Sequence, residues 1–200
     1  MSLRSGERLG IFGGTFDPPH IGHLVTAVNV RHALHLDRVL LMVANEPWQK
    51  QGTRHISPAR DRLALVEAAA EGLTGIEADG REIRRGGASY TADTLDEMLA
   101  EDISRDLTVI LGSDAAAGLS TWERSEEVRM RATIAVVPRP GVAVDGAEDG
   151  LRRVEVAVPS LEVSSTDLRA RLVDGRPVEV LLPPAVAACI ARLRLYGERR

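Results

Sequence analysis

A chain of 200 residues, 44% hydrophobic and 27% charged, can bury one sizeable core but is too short to build two independent ones with ease. Its formal net charge of −4 and pI near 5.8 exclude a broad basic face for nucleic acid or an anionic membrane, so any phosphate must be met locally. Cys189 is the only cysteine, which excludes an intrachain disulfide and a cysteine-built zinc site; within VAACIARL it reads as core.

The opening MSLRSGERLG lacks a signal-peptide core, and no apolar run approaches the roughly twenty residues that cross a bilayer, so a soluble cytoplasmic protein is expected. Leu9 to Phe12 reads as a short buried strand, followed by a Gly/Pro loop and a helical pattern from about Gly22 to Leu36. Arg38 to Ala44 (RVLLMVA) is a second strand. Ser57 to Gly72 is a helix, with Ser57 as N-cap and Pro58 in its first turn. Further strands are expected at Ile76 to Ile83, Leu107 to Leu111, Ile134 to Val137 and Val154 to Val158, with a helix at Thr91 to Glu101. Gly141 to Gly150 reads as an acidic, mobile surface loop, and helices at Thr166 to Val173 and Pro184 to Tyr196 close the chain. Apolar strands alternating with helices imply an α/β fold: one domain over 1–200 built on an open, doubly wound, Rossmann-like parallel sheet with helices on both faces. Ligands of such sheets sit beyond the carboxyl ends of the strands.

The loop after the first strand is GGTFDPPHIGH. Gly13 and Gly14 let backbone approach a phosphate, and the following helix offers unpaired amides and a positive dipole end. His20 and His23, three apart at the helix start, present both imidazoles to the same loop, whereas His32, His35 and His55 read as ordinary surface or core residues. This segment resembles the signature of the nucleotidyltransferase superfamily that uses a histidine-x-glycine-histidine motif. The resemblance implies that His20 and His23 contact the phosphates of ATP while the backbone of Gly13, Gly14, Thr15 and Phe16 lies against the nucleotide. A class I aminoacyl-tRNA synthetase shares the histidine string but needs a lysine-rich second motif, and Lys50 is the only lysine here. The dinucleotide fingerprint GxGxxG is missing after the first strand.

Near the C-terminus, Ser164, Ser165 and Thr166 lead into a helix that carries Arg169, a set of hydroxyls, amides and a permanently charged donor suited to phosphate. An ordinary helix cap explains the serines equally well. The SSTDLR string resembles the second motif of the same superfamily, which contacts ATP phosphates and lies in a small helical part from about 160 to 200. Gly112 and Asp114 follow a strand end, where a carboxylate can meet a ribose or the adenine side.

On the acceptor side, Lys50 follows Asn45 in NEPWQK, Thr91 opens a helix behind Ser89 and Tyr90, and Trp122 offers a flat face for stacking. Together with GSDAAAGLSTWE these stretches resemble bacterial nicotinate mononucleotide adenylyltransferases, from Leu9 to about Tyr196. The resemblance implies that Trp122 stacks on the pyridine ring, Thr91 and its neighbours hold the carboxylate, Lys50 binds the acceptor phosphate and Arg139 assists at the phosphates. It also implies ATP and nicotinate mononucleotide as substrates, with Mg²⁺ carried mainly by the ATP phosphates and no dedicated protein metal site. A homo-oligomer is compatible with the sequence. Nicotinamide mononucleotide and phosphopantetheine stand as alternative acceptors, and a nucleotide-binding regulator without turnover as an alternative class. NEPWQK departs from the usual proline, proline, histidine, lysine-like pattern of this loop, which leaves the partner of Lys50 open.

Overall fold

The computed structural model describes residues 6–47, 56–138 and 152–197. Six parallel strands form one sheet in the order β3-β2-β1-β4-β5-β6. They are β1 (Arg8–Gly14), β2 (Arg38–Val43), β3 (Ile76–Asp79), β4 (Asp106–Gly112), β5 (Ala132–Val137) and β6 (Arg153–Glu155). The central strands read RLGIFGG, RVLLMV and DLTVILG, nearly continuous apolar runs of the kind a parallel sheet needs when both faces are covered. Alternation along each strand then divides the core in two.

Leu9, Ile11, Leu40, Met42, Leu107, Val109 and Ile134 pack on one face against α4 (Thr91–Glu101), the short α5 (Ser113–Ala117) and α6 (Ser125–Arg131). Val39, Leu41, Val43, Ile110 and Ala135 pack on the other against α1 (Ile21–Ala33) and α2 (Ala59–Ala70). A third cluster lies outside α2, where Leu65 and Ala69 meet Leu168 of α7 (Ser165–Asp174) and Val186, Cys189 and Ile190 of α8 (Pro184–Leu193). Cys189 is buried there, as expected. No helix of the described residues is long and apolar enough to cross a membrane.

Several boundaries differ from expectation. Gly13 and Gly14 belong to the end of β1 and pair with Met42 and Val43, so the glycine loop begins only at Thr15. Strand β3 stops at Asp79, and Gly80 caps a five-residue helix, α3 (Arg81–Arg85), where a continuing strand was expected. Ser57 does not cap α2: Pro58 occupies that position. The expected loop at 141–150 lies outside the described residues.

Candidate active site

The carboxyl ends of β1 and β4, neighbours at the point where the strand order reverses, open into a cleft of about 940 Å³. Gly13 lines it, and a Cβ built there meets nothing within 4 Å, so only the missing side chain keeps this wall open. A Cβ at Gly14 would sit 2.8 Å from the Phe16 ring. Phe16 is buried at φ 50, a left-handed conformation that a bulky side chain rarely adopts, and its ring stands edge-on to His23 at 5.0 Å. The strained residue thereby props the imidazole.

His20 caps α1 in extended conformation, and its backbone N–H donates to Nδ1 of His23 at 3.1 Å. With Nδ1 accepting, the neutral His23 ring carries its proton on Nε2. The two imidazoles stack with centroids 3.7 Å apart. Gly22 between them is obligatory: a Cβ there would meet Val163 at 2.9 Å and the His20 ring at 3.1 Å. That close approach brings the segment before α7 against the start of α1, so two helix N-termini border one cleft.

Ser164 caps α7, its side chain accepting the Asp167 amide at 3.1 Å, and both Ser164 and Ser165 line the cleft. Ser165 Oγ donates to the Pro18 carbonyl at 2.8 Å and Arg169 Nη1 to the Asp17 carbonyl at 2.7 Å. Tyr196 OH donates to Asp17 Oδ1 at 2.6 Å. The C-terminal helices therefore strap the histidine loop from outside. Burial is the largest influence on the Tyr196 phenol and pushes its pKa up, with the bond to Asp17 acting in the same direction.

At the other end, Ser89, Tyr90, Thr91 and Trp122 line the same cleft. Asn45 donates its backbone N–H to Ser89 Oγ at 2.8 Å and its side-chain amide to the Gly87 carbonyl at 2.9 Å, tying the end of β2 to the loop before α4. Arg124, two residues after Trp122, reaches Asp93 and Asp96 of α4 at 2.8 and 2.6 Å and Glu127 at 2.6 Å. Its guanidinium holds the Glu127 carboxyl down to about 2.

Gly13, Gly14, Thr15, Phe16, His20, His23, Gly112 and Asp114 also line this cavity, so the two halves of the expected site share it. Asn45 and Arg169 stand behind the lining and act through the bonds just described. Lys50, Arg139, Trp48 and His55 lie outside the described residues. His32 and His35 are exposed on α1 and its exit. Among the described residues no group of three or more His, Cys, Asp or Glu side chains could hold a metal ion.

Sequence reasoning missed two residues. Arg62 is 1% exposed, and its guanidinium donates to the carbonyls of Ser57, Thr15, Ala44 and Asn45 at 2.7 to 3.0 Å, joining the ends of β1 and β2. Glu82 of α3 is 7% exposed and lines the cleft. One Arg among 24 carries no distinguishing mark, although its place on the apolar face of α2 was a signal. Glu82 fell in a segment expected to be a strand.

An open parallel sheet with paired glycines, a stacked histidine pair and two helix N-termini at one strand-end cleft defines a protein of the nucleotidyltransferase class. The chain belongs to the cytidylyltransferase-like family, whose model matches residues 11–171, and within it to the nicotinate-nucleotide adenylyltransferases. A relative from Corynebacterium kroppenstedtii, named "probable nicotinate-nucleotide adenylyltransferase", is 40% identical over 94% of this chain and 90% of its own. Relatives of the same name from Roseiflexus sp. and Streptomyces coelicolor are each 41% identical, over 96% and 93% of this chain and 99% and 100% of theirs. The fold matches that of Plasmodium falciparum nicotinic acid mononucleotide adenylyltransferase complexed with NaAD, at a TM-score of 0.75 and 14% identity over 95% of this chain and 97% of that one.

Proposed function

We propose that this protein transfers the adenylyl group of ATP to nicotinate mononucleotide, giving nicotinate adenine dinucleotide and pyrophosphate, in cytoplasmic NAD biosynthesis. The observation that carries the proposal is the stacked His20–His23 pair, set between the open wall at Gly13 and the capped start of α7, in one cleft with Thr91 and Trp122.

A mononucleotide phosphate has a second pKa near 6 and is largely dianionic at neutral pH, so the nucleophile needs no strong general base. Its oxygen attacks the α-phosphorus of ATP in line; the new P–O bond forms as the bond to pyrophosphate breaks. Charge repulsion is the obstacle, and alignment with neutralisation is the remedy. His23 offers the Nε2 proton to the phosphates, His20 stacks beside it, Ser164, Ser165 and Arg139 hold the triphosphate, and Arg169 steadies the histidine loop from behind through the Asp17 carbonyl. Gly112 and Asp114 serve the adenylate side. Trp122 stacks on the pyridine, Thr91 and the adjoining backbone at Tyr90 receive its carboxylate with Ser89 and Asn45 setting the wall behind them, and Lys50 serves the acceptor phosphate. Mg²⁺ would enter on the triphosphate and offset its charge.

The test is pyrophosphate release with Mg-ATP and matched concentrations of nicotinate mononucleotide, nicotinamide mononucleotide or phosphopantetheine. A strong preference for the nicotinate compound is expected. Comparable rates with the amide would make the protein dual in specificity, and preference for phosphopantetheine would overturn the acceptor.

A further inference from the structure

Glu82 has no part in the chemistry above, yet it lines the cleft beside Ser89, Tyr90 and Thr91. Its carboxyl accepts the Thr94 hydroxyl at 2.8 Å, and the Ser89 side chain is near enough to pull its pKa down. Both hydroxyls have a proton to offer Glu82. Thr94 Oγ1 already accepts from Arg85 Nη2 at 3.2 Å, and Ser89 Oγ already accepts the Asn45 amide at 2.8 Å, so each hydroxyl is left with a proton to pass on. Glu82, as a carboxylate, is the end point of two converging chains. One begins at the end of β2 and the other at Arg85 of α3.

Holding a charge there is unfavourable in itself. Burial pushes the Glu82 carboxyl up as the largest influence; the Ser89 and Thr94 hydroxyls and the Arg85 charge pull it back, and Asp79 pushes it up again. An acid raised in the folded state loses stability as the pH climbs from its unfolded value through the raised one. The surroundings therefore disfavour the charged form relative to a neutral side chain of the same shape. A buried acid at the cleft wall, bonded to Thr94 and set beside Ser89 and Thr91, points to use of the site.

We infer that Glu82 is a positioning residue for the acceptor: it fixes Ser89 and Thr94, and through Ser89 the Asn45 backbone, so that the two walls around the mononucleotide keep one spacing. This rests on the acceptor subsite proposed above. Glu82→Gln preserves the shape but can accept from only one of the two hydroxyls, since its NH₂ faces the other.

Steady-state pyrophosphate release, with each substrate varied at saturation of the other, tests the inference alongside a melting temperature. In E82Q the KM for nicotinate mononucleotide should rise about tenfold or more while the KM for ATP stays within about twofold. Its Tm should equal or exceed that of wild type. S89A should raise the same KM, and the E82Q/S89A double variant should add less than the two effects combined. An unchanged acceptor KM, or equal rises for both substrates, overturns the inference. Should E82Q fail to fold, S89A and T94V carry the test, and selective loss of acceptor affinity in neither overturns it. Silence of the wild-type protein with nicotinate mononucleotide removes the acceptor reading itself, and this inference with it.

Discussion

His23 makes two kinds of contact, and they are separable. Nδ1 accepts the His20 backbone N–H, which shapes the start of α1, whereas Nε2 carries the proton proposed for the phosphates. His23→Asn retains an acceptor near the Nδ1 position and removes the distal donor. Both His23→Ala and His23→Asn should lower kcat roughly a hundredfold or more, the scale of one phosphate donor worth about 3 kcal/mol. Near-normal turnover of the Asn variant would reduce His23 to scaffolding. Arg62 is the opposite case, a residue whose guanidinium ties backbone together. Its replacement by Ala would leave the carbonyls of Thr15, Ala44, Asn45 and Ser57 without their charged donor in a buried site. A loss of at least about 3 kcal/mol in urea unfolding is expected, because each stranded acceptor costs about 1–3 kcal/mol. These two residues also mark what could be read in the sequence. The histidines stand in a compact motif whose spacing has a physical meaning. Arg62 bonds four backbone carbonyls, from residues as far as 47 positions away, and backbone carbonyls leave no trace in side-chain identity.

Strands were more legible than short helices. RVLLMV and DLTVILG are apolar because both of their faces are covered, and that requirement is visible along the chain. The helices α3, α5 and α6 were not anticipated; with 5, 5 and 7 residues they hardly complete a periodic stripe. They are held by tertiary bonds, as in α6, where Arg124 and Arg131 share Asp96 and Glu127. The C-terminal helices were expected, but their grip on the histidine loop was not, since the bond from Tyr196 to Asp17 spans 179 positions. That bond has a pH signature. The phenol is raised in the folded state above its usual value of about 10, so its contribution is intact below that pH and fades as the pH climbs beyond it. Wild-type stability should therefore fall on the alkaline side of pH ~10, and Tyr196→Phe should remove most of that slope. At pH 7 the variant should be less stable by about 1–3 kcal/mol, since the buried Asp17 carboxylate loses a donor. Chemical denaturation from pH 7 to 11 gives both quantities, and an unchanged alkaline slope would detach Tyr196 from the strap.

At the scale of the whole molecule, the sheet order 3-2-1-4-5-6 explains why motifs from opposite ends of the chain meet. Connections leave β1 and β4 in opposite directions along the sheet, and the crevice between those strands receives loops from both halves. The histidine loop and the start of α7 converge on it from one side, Ser89, Thr91 and Trp122 from the other, and all of them border one cavity of about 940 Å³. A cavity of this size lies at the upper end of the range for small-molecule sites and suits two nucleotides side by side rather than one. The joined product should then bind more tightly than either half, because occupying one end places its other half at high effective concentration. Thermal melts separate this from two independent sites. At equal concentrations nicotinate adenine dinucleotide should raise Tm more than AMP or nicotinate mononucleotide alone, by roughly 5–10 °C once it reaches about a hundred times its Kd. If the dinucleotide gave no larger shift than AMP, the two ends of the cleft would not be working on one ligand, and the shared cavity would lose its meaning for transfer between two bound nucleotides.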